Sequence, residues 1–245
     1  MTDSHKVAIV TGASGGIGKA VVQRLANDGF AIVAHYAGNP AEADKAVSEV
    51  VERGGRAISV GADIANENAV RTLFTRARED FGRIDAVVHC AGIMPLKPIN
   101  LESIETFNKV IDVNLRGSFL VLANAVDTLG PGGRIVAFST SVIAKSFPNY
   151  GAYAASKAGV EALVHVLANE LRGKGITVNA IAPGPVATEL FMKGKTDAQI
   201  QHLAQLAPLE RLGQPDDISG AVAFLVGKDG EWVNGQVIRV NGGFA

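Results

Sequence analysis

Short apolar runs alternate with amphipathic stretches along nearly the whole chain. Residues 6–10 form the first run, rich in β-branched side chains, and a glycine cluster at residues 12–18 closes it. Ile17, Val21, Val22 and Leu25 then recur at helical spacing up to Gly29, which predicts a helix with one apolar face. The alternation continues with strands at 31–35, 56–60, 84–89, 134–138, 177–181 and 237–240. Helices are predicted between them at 41–53, 67–81, 101–125 and 153–172, and at 215–226 before the last strand. The strands are continuous apolar runs, as in Ala86-Val87-Val88, which fits burial on both faces. The order of elements therefore predicts an α/β fold with a doubly wound, parallel seven-stranded sheet, helices on both faces and right-handed crossovers. No linker, composition break or repeat interrupts the rhythm, so a single domain over residues 1–245 is expected. Residues 189–208 carry a short helical pattern of their own, and we expect them to cover the site as a lid.

Composition narrows the function classes. The chain has 245 residues, 47% hydrophobic and 19% charged, with a formal net charge of -1. That balance gives no electrostatic footprint for nucleic acid and no polybasic patch for a membrane surface. The polar start, residues 1–6, lacks the basic end and long apolar region of a signal peptide, and no apolar run approaches the roughly 20 residues a bilayer span needs. A cytoplasmic setting is the expectation. The single cysteine, Cys90, excludes an intrachain disulfide framework and a Cys-based zinc site. Its apolar strand predicts a small buried residue, and His89 beside it is expected to be a satisfied core histidine. His35, His165 and His202 show no metal-ligand spacing, so no metal is expected.

The segment Thr11-Gly12-Ala13-Ser14-Gly15-Gly16-Ile17-Gly18 lies between the first strand and the first helix. A dinucleotide pyrophosphate binds at that place in a Rossmann-type fold, on free backbone N–H groups at a helix N-terminus. The P-loop spacing fails, because Ala13 and Ala20 stand where that motif needs Gly and Ser or Thr. At the end of the second strand, Tyr36-Ala37-Gly38-Asn39 offers no acid before Glu42. An acid there would hold a ribose 2′-OH and repel a 2′-phosphate. Its absence favours NADP(H), with backbone N–H groups of residues 37–39 and the Asn39 side chain as donors; NAD(H) stays open because no Arg clamps the phosphate.

Tyr153 and Lys157 are four residues apart in a helical stretch, which stacks them on one face. A cation beside a phenol lowers its pKa from about 10, so that the tyrosine can pass a proton to or from an oxygen. With the glycine turn, Asn114, Ser141 and Tyr153-x-x-x-Lys157 in this order, the whole chain resembles the short-chain dehydrogenase/reductase family. Its 3-oxoacyl-carrier-protein reductase branch is the most similar.

The resemblance implies roles for named residues. Tyr153 is the acid/base; Lys157 tunes it and holds the nicotinamide ribose; Ser141 hydrogen-bonds the substrate oxygen; Asn114 supports a proton relay behind Lys157. Gly12, Ser14, Gly15, Gly16, Ile17 and Gly18 hold the pyrophosphate. Asp63 and Ile64 lie at the adenine, Ala91 and Gly92 at the adenosine ribose, and Pro183, Gly184, Val186 and Thr188 at the nicotinamide carboxamide. Gly15 stands where many NADP-dependent members carry Arg, and His89-Cys90-Ala91-Gly92 replaces the family's usual Asn-Asn-Ala-Gly. Ser141 is one residue closer to Tyr153 than is common, so Ser139 and Thr140 remain alternatives for its role.

Met94, Phe147, Tyr150 and Phe191 are expected to line an apolar substrate pocket. Lys97, Lys145, Lys193 and Lys195 are candidate contacts for a carrier protein. The implied reaction is reduction of a 3-oxoacyl thioester or related small ketone, either free or carrier-bound. Oxidation of a sugar, polyol or secondary alcohol is the enzymatic alternative, and a non-catalytic NADP-binding sensor or scaffold the other. A homotetramer, or a homodimer, is implied by the resemblance, through the helices at 101–125 and 153–172.

Overall fold

A computed structural model describes residues 5–245; the first four residues of the polar start lie outside the described residues. Seven parallel strands form one sheet in the order β3-β2-β1-β4-β5-β6-β7. They are β1 (Val7–Thr11), β2 (Ala31–Tyr36), β3 (Ala57–Gly61), β4 (Ala86–His89), β5 (Arg134–Phe138), β6 (Thr177–Pro183) and β7 (Val237–Val240). The helices are α1 (Gly16–Asn27), α2 (Ala41–Glu52), α3 (Glu67–Phe81), α4 (Ile104–Val110), α5 (Gly117–Thr128), α6 (Gly151–Glu170), α7 (Glu189–Met192), α8 (Asp197–Gln205) and α9 (Pro215–Val226).

The continuous apolar strands feed two cores, one on each face of the sheet. Val7, Ile9, Val33, Val87 and Ile135 point into the core under α3, α5 and α6. Their neighbours Ala8, Val10, Ile32, Val88 and Val136 point into the core under α1, α2 and α9. Side chains alternate across a strand, so both sets must be apolar once helices cover both faces. Among helix ends, α3 is bounded most clearly: Asn66 accepts the Ala69 N–H at 3.0 Å, and Gly82 ends the helix at φ 76°.

Several predicted bounds shift by one or two residues, and one predicted helix is divided. The fourth strand begins at Ala86 and not at residue 84. The helix expected over 101–125 is divided: α4 and α5 are joined by a π turn, Ile111–Arg116, that carries Asn114. A π turn inserts one residue into the helical ladder and re-aims the helix beyond it, and such turns recur at functional sites. The apolar pattern runs through it without a break, so periodicity does not reveal it.

Strand order reverses between β1, which leads outward to β2 and β3, and β4, which leads outward the other way. Beyond the carboxyl ends of strands at such a switch point lies the crevice where open α/β sheets bind ligands.

Candidate active site

The glycine turn closes tightly at that crevice. Gly12 has φ 69°, and a Cβ on it would stand 2.9 Å from Ala91 Cα. A Cβ on Gly18 would fall inside the contact shell of the Gly12 carbonyl oxygen, and one on Gly16 would lie 2.8 Å from Thr188 Cγ2. Three glycines thus let the turn touch the β4 end and the loop after β6 together. Helix α1 has no side-chain cap and no acid in its first turn. The N–H groups of Gly16, Ile17 and Gly18 come before Lys19, whose N–H makes the first helical bond, to the Gly15 oxygen at 2.8 Å, and can meet an anion.

Two buried histidines brace this turn. The Gly12 N–H donates to His35 Nδ1 at 3.2 Å, and His35 Nε2 lies 2.9 Å from the Ala62 oxygen. His89 sits between Thr11 Oγ1 at 2.8 Å and Ser118 Oγ at 3.0 Å. Burial pushes the His89 pKa down to about 3 and lowers that of His35, so both are neutral hydrogen-bonding struts at neutral pH. Cys90 lines the neighbouring cavity with its thiol pushed up by burial, which leaves it protonated and unreactive. Among the described residues no group of three or more His, Cys, Asp or Glu side chains could hold a metal.

At the second strand's end, residues 37–39 are exposed. Asn39 Oδ1 accepts the Ala41 N–H at 3.0 Å, which leaves its amide N–H₂ as a donor. The nearest acid, Glu42, lies 3.8 Å from Lys19. Asp63 Oδ1 accepts the Ala65 N–H at 2.9 Å. Ile64 is only 2% exposed and packs on Gly117, so its side chain serves the core and only its backbone is available to a ligand.

Tyr153 and Lys157 share the walls of one cavity with Thr140, Met94, Phe147 and Phe191. Tyr150 joins this lining, as do Pro183, Gly184, Val186 and Thr188. Burial pushes the Tyr153 phenol up to about 12, against the hydrogen bond from Thr140 that lowers it. Burial also lowers Lys157 to about 8, and its Nζ donates to the Phe138 oxygen at 2.8 Å. The expected lowering of the phenol by the neighbouring lysine is thus corrected: desolvation dominates, and the group is a protonated donor at neutral pH.

The hydroxyl expected to face Tyr153 is also corrected. Ser141 is 1% exposed and is not a wall of the cavity; its Oγ donates to the Ala182 oxygen at 2.8 Å. Ser139 donates to Glu161 Oε1 at 2.5 Å. Thr140, one of the two alternatives, is the hydroxyl at the phenol. Thr140 and Ser139 both line the cavity, but the Ser139 hydroxyl is committed to Glu161, and Ser141 lies behind the wall.

Asn114 does not line the cavity either. Its Oδ1 accepts the Ile93 N–H and its Nδ2 donates to the Ile93 oxygen, each at 2.8 Å; Nδ2 also lies 3.2 Å from Ser156 Oγ. Ser156 in turn donates to the Tyr153 main-chain carbonyl oxygen at 2.7 Å. The amide therefore ties the π turn to α6 and to the strand-four loop. Gly92 makes room for this, since a Cβ there would stand 3.1 Å from Asn114 Oδ1 and 3.4 Å from Lys157 Nζ. Sequence reasoning missed Phe244, which is 2% exposed and closes one wall; the Asn241-Gly242-Gly243 turn signal before it was the available clue.

A family model described as enoyl-(acyl carrier protein) reductase matches residues 12–245. A short-chain type dehydrogenase/reductase of Picea abies is 43% identical over 248 residues, covering 97% of this chain and 92% of that protein. A chloroplastic NADPH-dependent aldehyde reductase-like protein of Arabidopsis thaliana is 42% identical over 253 residues, covering 98% and 94%. The crystal structure of a short chain dehydrogenase from Burkholderia cenocepacia J2315 in complex with NADP superposes with a TM-score of 0.92 at 33% identity, covering 98% of this chain and 97% of that one.

Proposed function

The chain belongs to the short-chain dehydrogenase/reductase family and is an oxidoreductase acting between CH–OH and C=O groups, and we propose that it reduces a small apolar aldehyde or ketone with NADPH. The observation that carries this reading is the shared cavity of Tyr153, Thr140 and Lys157 beside the glycine turn. NADPH is supported by the free α1 N-terminus, by the acid-free Tyr36-Ala37-Gly38-Asn39 segment, and by relatives named for NADPH or bound to NADP.

Bound NADPH supplies the hydride. Tyr153 Oη–H gives its proton to the carbonyl oxygen, and the raised phenol pKa keeps that proton in place until then. Thr140 Oγ1 orients the same oxygen. Lys157 uses one N–H on the Phe138 oxygen and keeps two for the coenzyme ribose. Asn114 anchors, through Ser156, the main chain of the α6 turn that carries the tyrosine. The 189–208 segment acts as the lid: Leu190, Phe191 and Leu203 reach the cavity, while α7 and α8 bury none of their own residues. Phe107 on α4, Phe119 on α5 and Val166 on α6, 46%, 56% and 55% exposed, fit burial in a homo-oligomer.

A 3-oxoacyl thioester is the finer substrate reading, favoured by Lys193 and Lys195 at the outer groove beside Met94 and Leu190. A fluorescence titration comparing NADPH with NADH, followed by a carbonyl screen, tests the proposal. Tighter NADPH binding and turnover of aldehydes or ketones are expected; preference for NADH, or turnover only of sugars and polyols in the oxidative direction, would refute it. Thr140→Val is expected to lower kcat/KM by about 10- to 100-fold, the worth of one hydrogen bond to a developing charge. An equal loss in Thr140→Ser would show that the methyl group matters and not the hydroxyl.

A further inference from the structure

Ser141, excluded from the chemistry by its orientation, has a different set of partners. Its Oγ accepts from Asn241 Nδ2 at 2.9 Å while donating to the Ala182 oxygen. Asn241 uses every polar atom it has beyond its own N–H. Nδ2 also donates to the Ala245 main-chain oxygen at 2.8 Å, Oδ1 accepts the Gly243 N–H at 3.0 Å, and its carbonyl accepts the Phe244 N–H at 3.0 Å. Gly242 and Gly243, at φ 62° and 86°, let the chain reverse there. Gly184 lets Asn241 approach, since a Cβ on it would stand 2.8 Å from Asn241 Cβ.

This turn returns Phe244 to the substrate cavity. Its ring stands 6.1 Å from that of Phe147, which stands 5.9 Å from Tyr150, which stands 6.4 Å from Tyr153. Lys145 Nζ lies 5.1 Å from the Phe244 ring centroid. The aromatic row thus runs from the proton donor along the cavity wall, with Phe244 as its buried far end.

We propose that Ser141 and Asn241 form a latch that holds Phe244 as the size-limiting wall of the substrate pocket. The proposal rests on the carbonyl-reductase reading for its kinetic form and on the latch geometry for its binding form. A side chain that closes a pocket discriminates by steric exclusion, and volume differences of one or more methylene groups are worth roughly 10- to 200-fold in selectivity. Ser141 and Asn241 are positioning residues, so their loss should act through KM and leave kcat for a small substrate near that of the wild type.

The test compares wild type with Phe244→Ala, Phe244→Leu, Asn241→Ala and Ser141→Ala. Two readouts are used: kcat/KM for benzaldehyde and 2-naphthaldehyde with NADPH, and calorimetric affinity for benzyl alcohol and 2-naphthalenemethanol. The expected result is a shift of the naphthyl-to-phenyl ratio by about tenfold or more in Phe244→Ala, with a smaller shift in Phe244→Leu. The two latch variants should shift it in the same direction, through KM. NADPH affinity should stay within about twofold. If the wild type reduces neither aldehyde, the functional reading is what fails, and the alcohol affinities alone decide the latch. An unchanged ratio in folded Phe244→Ala or Phe244→Leu, an unchanged ratio in both folded latch variants, or no binding of either alcohol to any of the proteins, overturns the proposal.

Discussion

Replacing Tyr153 by Phe is expected to lower kcat by about 10³-fold, within the range for loss of a positioned general acid, with NADPH affinity nearly unchanged. The substitution removes one oxygen and keeps the ring, so the edge-on packing against Tyr150 at 6.4 Å survives and the cavity keeps its shape. What disappears is the acid of the cavity held protonated beside the Thr140 hydroxyl. Hydride arriving at a carbonyl carbon leaves charge on its oxygen, and without the phenol that charge must be met by solvent in an apolar pocket. Steady-state and single-turnover rates with an aldehyde substrate check this. Activity of the variant within tenfold of wild type would remove Tyr153 from the proton transfer.

Lys157→Met should separate stability from activity. Lys157 is 4% exposed, and burial lowers its pKa from 10.5 to about 8. Its folded pKa lies below its unfolded one, so at neutral pH the unfolded chain holds this proton more readily than the fold does. The penalty, on the order of 3 kcal/mol, is fully present below about pH 8 and is relieved as pH rises toward 10.5. Methionine removes the charge at similar length but leaves the Phe138 oxygen without its donor, a loss of about 1–3 kcal/mol. The variant is therefore expected to unfold at no lower temperature than wild type at pH 7. Its kcat/KM should fall by about 10²- to 10³-fold, as when a preorganised charged donor is deleted. Thermal unfolding of both proteins at pH 7 and pH 10 supplies the check, because the wild type should gain on the variant across that interval. A variant clearly less stable at pH 7, or a difference that ignores pH, would mean that the lysine is not buried as a charge.

Much of the architecture was legible in the order and texture of the apolar runs. Continuous runs at 31–35, 134–138 and 177–181 marked strands covered on both faces, and β2, β5 and β6 lie there, each almost wholly buried. The glycines at 12, 16 and 18 announced a close approach of backbones, and each proves to have a neighbour within contact of the missing Cβ. The π turn was not legible, because inserting one residue into a helical ladder changes hydrogen-bond partners without changing the apolar pattern around it. The choice among Ser139, Thr140 and Ser141 was not legible either, since three adjacent hydroxyls differ only in the partners that the fold brings to each one.

By itself, the sequence determined what is local: the strand and helix periods, the turn that needs glycine, and the Tyr153–Lys157 spacing that stacks two side chains on one helix face. Tertiary structure decided which groups meet across the chain and how dry they are. Ser141 is bound to Ala182, 41 residues on, and to Asn241, 100 residues on. Those contacts take it out of the chemistry and fix Phe244 in the pocket. The pKa values of Tyr153 and Lys157 have the same origin, because desolvation depends on everything packed around a group and not on its neighbours in sequence.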